Sequence, residues 1–265
     1  MPIPERLKPT FVSTRPVGPD PIEEARKRLI VALDVPNTQD ATGLVDRLED
    51  QCQWFKVGLE LFTAAGSAVV ETLAARGYSV FLDLKFHDIP NTVAGAVRSA
   101  AALGARMITI HAAGGPAMLT AARAALDSLT DPPQLLAVTV LTSMDAAQLM
   151  AAGVERAPAT QVELLARMGF EAGIRGFVCS PQEVAALRGL TCPEGVLVVP
   201  GIRPAGADPG DQKRLATPSD ALTAGASYLV VGRPITQAPN PAKAAEAILE
   251  EMAKAIAPRG QSQSR

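Results

Sequence analysis

SVFLDLK (79–85), a segment over 91–102 whose apolar residues recur at helical spacing, and RMITIH (106–111) follow one another as strand, helix and strand. Both strand runs are almost continuously apolar until their C-terminal ends, as parallel strands covered on both faces require. The same rhythm extends in both directions. LIVALD (29–34) and CQWFKVG (52–58) lie upstream; QLLAVTVL (134–141), RGFVCS (175–180), GVLVVPG (195–201) and SYLVVGR (227–233) lie downstream. Further helices are predicted over 38–48, 60–75, 115–127, 160–169, 181–188, 218–224 and 241–256. The 197 residues from Asp34 to Val231 hold seven units of about 28, the length of one strand plus one crossover helix. Eight such units without a composition break predict an α/β fold, a single closed (β/α)8 TIM barrel. An open doubly wound sheet would place a Gly-rich turn after its first strand, where this chain has Asp34-Val35-Pro36-Asn37. The barrel is expected over 29–257, with an N-terminal extension over 1–28 and a frayed tail over 258–265. The longest irregular stretches, 142–159 and 202–217, follow the fifth and seventh strands at the C-terminal mouth and are candidate lids.

Composition narrows the function. The 265 residues carry 25 Lys+Arg against 27 Asp+Glu, a net charge of −2, which argues against nucleic-acid or membrane-surface binding. Apolar residues make up 48% and aromatics 4%, so the core is built mainly from Ala, Val, Leu and Ile. Cys52, Cys179 and Cys192 are odd in number and far apart, which predicts neither a disulfide framework nor a thiolate metal site and fits a reducing, cytoplasmic setting. With His87 and His111 as the only histidines, no structural metal is expected. Residues 1–28 lack a long apolar run, so neither a secretory signal nor a membrane anchor is expected, and their proline and polar content suggests a loosely held extension.

Charged residues collect at the C-terminal ends of the first three strands: Asp34, Lys56, then Asp83-Leu84-Lys85-Phe86-His87-Asp88. Residues two apart on a strand share a face, so Asp83 and Lys85 can meet Lys56 inside the barrel mouth. A lone Asp34 or Lys56 reads as a solvated strand end; four charges on three adjacent strands read as a site, their alternating signs offsetting the cost of enclosure. Asp88, just before Ile89-Pro90-Asn91-Thr92, fits either a helix cap or a site residue. His87 and His111 have no acidic orienter nearby in sequence and read as packed or hydrogen-bonded structural residues. Cys179, in an apolar run with only Arg175 as a basic neighbour, reads as buried and inert. The methionines and Trp54 read as core.

A different signal follows the last two strands. Gly201, Ile202 and Arg203, then Gly232 and Arg233, fall at the recurring phosphate site of barrels. Glycine lets backbone N–H groups approach an anion and arginine supplies a planar fork for its oxygens. Gln212 can close over the same phosphate.

These residues resemble a known family. FLDLKFHDIPNTV (81–93), with its Asp-x-Lys-x-x-Asp core, is similar to the signature of the orotidine 5′-phosphate decarboxylases. VALD (31–34), FKVGLELF (55–62), IHAAGG (110–115), AVTVLTSM (137–144), PGIRP (200–204), GDQKR (210–214) and VVGRPIT (230–236) occur in the family's order, so the resemblance spans about residues 29–250. It implies a cofactor-free lyase that converts orotidine 5′-phosphate to uridine 5′-phosphate and CO2 in pyrimidine synthesis. By motif position Lys85 would be the proton donor to C6, Asp83 would lie beside the substrate carboxylate, and Lys56 would complete the charged row. Asp34 and Lys56 would hold ribose hydroxyls, Thr142 and Ser143 the pyrimidine, and Arg203, Gln212, Gly232 and Arg233 the phosphate. Asp88, Ile89 and Thr92 would complete the partner's site in a homodimer. Asp83 could strain the substrate carboxylate or orient Lys85; the sequence leaves both open.

Two other readings stand beside this one. A sugar-phosphate decarboxylase or aldolase of the same superfamily shares Asp-x-Lys-x-x-Asp but uses magnesium. A catalytically silent nucleotide-binding barrel would not need Lys56, Asp83, Lys85 and Asp88 together.

Overall fold

A computed structural model of the chain describes residues 20–191, 194–204 and 214–257. Eight parallel strands close into a barrel in sequence order: β1 (Leu29–Ala32), β2 (Trp54–Gly58), β3 (Ser79–Phe86), β4 (Ala105–His111), β5 (Gln134–Val138), β6 (Gly176–Val178), β7 (Val196–Val199) and β8 (Tyr228–Val231), with β8 pairing back onto β1. Each expected strand is present; six are trimmed by one to three residues at one or both ends, whereas β3 and β4 each run one residue longer.

Alternation along the strands divides the core into two layers. Ile30, Ala32, Phe81, Met107, Leu136, Val198 and Val230 form a small cluster inside the barrel, with Trp54 and Tyr228 packed against it edge to face at 5.4 Å. Leu29, Val31, Phe55, Val57, Ile108 and Ile110 point outward into the larger layer shared with the helices. On β1 to β4 the inward positions near the C-terminal ends no longer carry apolar side chains, whereas Val138, Val178 and Val230 still line the mouth on β5, β6 and β8. Asp34 follows Ala32 by two, Lys56 follows Trp54 by two, Asp83 follows Phe81 by two and Thr109 follows Met107 by two. The periodicity that fills the barrel floor therefore delivers polar groups to its mouth.

Four local differences from the sequence reading have physical causes. The single helix expected over 60–75 is two, Leu59–Ala65 and Ala68–Ala75, because Gly66 takes φ 66° and turns the chain between them. The stretch 142–159 is not wholly irregular: Ala146–Ala151 is helical, started by a capping box between Asp145 and Gln148. Residues 21–28 are more ordered than a loose extension, since Pro21–Arg26 is a helix that buries Ala25 and packs against the last helix, Pro241–Ile256. Methionine is not uniformly core, since Met107, Met118 and Met252 are buried but Met150 is exposed. Among the described residues no helix is long and apolar enough to cross a membrane.

Candidate active site

The inward charges form one continuous row. Lys56 Nζ lies 2.9 Å from Asp34 Oδ1 and 3.7 Å from Asp83 Oδ2, and Lys85 Nζ lies 2.9 Å from Asp83 Oδ1. The order Asp34, Lys56, Asp83, Lys85 alternates in sign, so each inner member faces an opposite charge on both sides. Lys56 and Asp83 keep only 12% and 13% of their side-chain surface exposed. Enclosure at that level requires such partners. Gly58 makes room for this contact: a Cβ there would come within 2.8 Å of Lys56 Nζ.

Lys85 reaches the row by an irregular backbone rather than by strand alternation alone. Its φ is 52°, in the left-handed region that a lysine rarely occupies, and the pairing of β3 with β4 shifts between Leu82 and Phe86. Thr109, fully buried on β4, holds the irregularity in place. Its Oγ1 accepts from the Lys85 backbone N–H at 2.8 Å and donates to Asp83 Oδ1 at 3.1 Å. One hydroxyl thus supports both the backbone of the lysine and the carboxylate beside it.

A cavity of about 500 Å³ opens over this row. Asp34, Lys56, Asp83 and Lys85 line one wall, Thr142 and Ser143 another, and Arg203, Gly232 and Arg233 a third. Nine of the thirteen residues singled out by sequence line this cavity; Gln212 lies outside the described residues. Asp88, Ile89 and Thr92 are exposed and do not line the cavity of their own chain. The cap reading of Asp88 needs correction. Ile89 is the N-cap of helix Pro90–Ala102, and among the described residues Asp88 Oδ1 accepts from the Ile89 N–H, at 2.6 Å, rather than from a backbone N–H inside the helix.

His87 and His111 stack with ring centroids 5.4 Å apart. Burial, then the neighbouring His87 and Lys85, pushes the His111 imidazole below its ordinary value of 6.5. Cys179 is buried beneath the cavity, its thiol pushed up by burial, and the arginines whose charges reach it are Arg188 and Arg214 rather than Arg175. Arg175 instead donates to Phe170 O at 2.8 Å and stacks over the Phe170 ring. Sequence reasoning missed Gln237, which lines the cavity one helical turn past Arg233, and Thr109, whose alternation with Met107 and His111 was available as a signal.

Fold and site together define a barrel enzyme that gathers alternating charges at one end of a cavity and arginines at the other. The chain belongs to the orotidine 5′-phosphate decarboxylase / HUMPS family, whose model matches residues 27–248. Its relatives include orotidine 5′-phosphate decarboxylases of Moorella thermoacetica, 54% identical over 86% of this chain and 93% of that protein, and of Nitrosococcus oceani, 54% identical over 86% and 98%. A crystal structure of the orotidine 5′-phosphate decarboxylase from Lactobacillus acidophilus superposes with a TM-score of 0.75 at 40% identity, covering 85% of this chain and 98% of the other.

Proposed function

We propose that the protein decarboxylates orotidine 5′-phosphate to uridine 5′-phosphate, with Lys85 as the proton donor. The observation that carries this reading is the Asp34–Lys56–Asp83–Lys85 row along one wall of a cavity whose other walls present Thr142, Ser143, Arg203 and Arg233. In the reaction the bond from C6 to its carboxylate breaks, CO2 leaves, and the electron pair stays on C6. No conjugated sink is available to that carbanion, so it needs a fixed positive charge beside it. The Lys85 ammonium supplies the charge and then the proton, and the resulting amine takes a proton back from water. Asp83, 2.9 Å from the ammonium, orients it. Asp34 and Lys56 hold the ribose hydroxyls, Thr142 and Ser143 the pyrimidine, and Arg203, Gln212, Gly232 and Arg233 the phosphate. Contacts at the phosphate, far from C6, are binding energy that can be used to assemble the site. Asp88, Ile89 and Thr92 complete the site of a second copy across a two-fold contact, a role that their exposure outside their own cavity supports. The cytoplasm is the setting in which such an enzyme would meet its nucleotide.

The decisive assay follows the ultraviolet absorbance of orotidine 5′-phosphate in EDTA, parent beside Lys85→Ala. Turnover by the parent is expected, with a loss of at least about 10³-fold in the variant, the joint scale of an electrostatic and a proton-transfer contribution. Turnover by the parent that appears only when magnesium is restored would favour the sugar-phosphate chemistry that the same family contains. A folded parent with no turnover in either condition would end the decarboxylase reading.

A further inference from the structure

Away from the charged row, a second buried ion pair joins the ends of three strands. Glu183 and Arg214 are 6% and 7% exposed, and Arg214 Nη1 donates to Glu183 Oε1. Glu183 is held in turn by Ser180, just past β6, whose backbone N–H donates to Oε2 at 2.9 Å and whose hydroxyl donates to the same oxygen. The other terminal nitrogen of Arg214, Nη2, donates to Leu141 O at 2.9 Å and lies 3.4 Å from Val140 O, just past β5. Two residues beyond Arg214, Ala216 pairs with the segment that follows β7: its N–H donates to Gly201 O at 3.4 Å and its carbonyl accepts from the Arg203 N–H at 3.0 Å.

We infer that Arg214, clamped by Glu183, is a positioning residue that couples the phosphate end of the cavity to its pyrimidine end. The inference rests on the assignment of Arg203 and Thr142–Ser143 made above. Leu141 O and Thr142 N belong to one rigid peptide plane, so a guanidinium on that carbonyl sets the orientation at which the chain enters Thr142. On the other side, Ala216 fixes Gly201 and Arg203, both of which line the cavity. Core filling alone does not require this pair, since apolar residues of similar volume commonly replace a buried ion pair without loss of stability. What they cannot replace is a planar donor aimed at two particular carbonyls.

The test compares the parent with Glu183→Leu/Arg214→Met, which fills the same space without charge, and with Arg214→Lys, which keeps the charge on a single donor nitrogen and loses the planar fork. Hydrogen exchange at residues 141–143 is measured with and without inorganic phosphate, and cooperative unfolding confirms that each protein is folded. Phosphate is expected to slow exchange there about tenfold in the parent, less than about twofold in the double variant, and to an intermediate degree in Arg214→Lys, the range over which coupling between sites is usually found. Equal protection in parent and double variant, or none in the parent, overturns the inference. Turnover of orotidine 5′-phosphate by the same parent preparation reports separately on the proposed reaction. Coupling without turnover would leave the Arg214 inference standing and remove the decarboxylase reading.

Discussion

Thr109 carries two hydrogen bonds on which the position of Lys85 depends, and no charge of its own advertises it. A lysine at φ 52° sits in a region that costs an L-residue of order 1–2 kcal/mol. The Thr109 hydroxyl offsets this by pairing the Lys85 N–H and bonding Asp83. Thr109→Val keeps the shape and removes the hydroxyl, leaving a buried donor without its partner. A loss of about 1–3 kcal/mol is expected in urea unfolding. In turnover, kcat should fall about tenfold with KM changed less than threefold, because the misplaced group acts in the transition state rather than in binding. Thr109→Ser, which restores the hydroxyl, should recover most of both; an unaltered kcat in the valine variant would remove Thr109 from the site. His111 yields a second residue-scale expectation. Its Nδ1 is buried without a hydrogen-bond partner among the described residues, and its imidazole titrates below 6.5. Between that lowered value and 6.5 the unfolded chain binds the extra proton, so stability is full above pH 6.5 and declines as pH falls through this window. Urea midpoints from pH 5 to 8 should show a weaker decline in His111→Asn than in the parent. Identical slopes would exclude His111 as the source.

At the scale of elements, what could be read from the sequence and what could not divides along a physical line. All eight strands were legible, because a strand buried on both faces must be almost wholly apolar and LIVA, FLDL or YLVV leave little else to read. The barrel floor and the charged mouth were legible for the same reason, since period-two alternation places Ile30, Ala32 and Asp34, or Phe81 and Asp83, on one side. Alternation did not reveal how Lys85 arrives at Asp83. The shift between Leu82 and Phe86 is imposed by the neighbouring strand and stabilised by Thr109, 24 residues away from Lys85. Helix breaks were harder, because Gly66 between two apolar segments is tolerable in either one long helix or two. The helix Ala146–Ala151 is short enough for its apolar period to be lost, and only the Asp145–Gln148 box marks its start. Glu183 is marked locally only by its capping box with Ser180, and nothing local reports its pairing with Arg214, 31 residues away and brought to it by closure of the barrel.

On the scale of the whole molecule, the strand-3 turn is where a single chain stops accounting for its own residues. Lys85 points into its own cavity, yet three residues later Asp88 is exposed and, among the described residues, bonded only to the next backbone N–H, and the apolar residue Ile89 is 66% exposed. Their assignment rested on resemblance rather than periodicity, since no intrachain pattern reports on a surface that a second copy would cover. If each site of a homodimer combines Lys85 of one chain with Asp88 of the other, two inactive variants should complement. Lys85→Ala and Asp88→Ala chains, mixed by refolding, form hybrids with one site lacking both groups and one site lacking neither. Random pairing makes half of the dimers hybrid, so about a quarter of the parent's activity should return when the inactive proteins are combined, given a two-fold dimer. Differently tagged chains and native mass spectrometry would verify that hybrids exist. Hybrids with no activity above the separate variants would place Asp88 in the service of its own chain, or outside catalysis, and the shared-site dimer would have to be abandoned while the Lys85 chemistry stood.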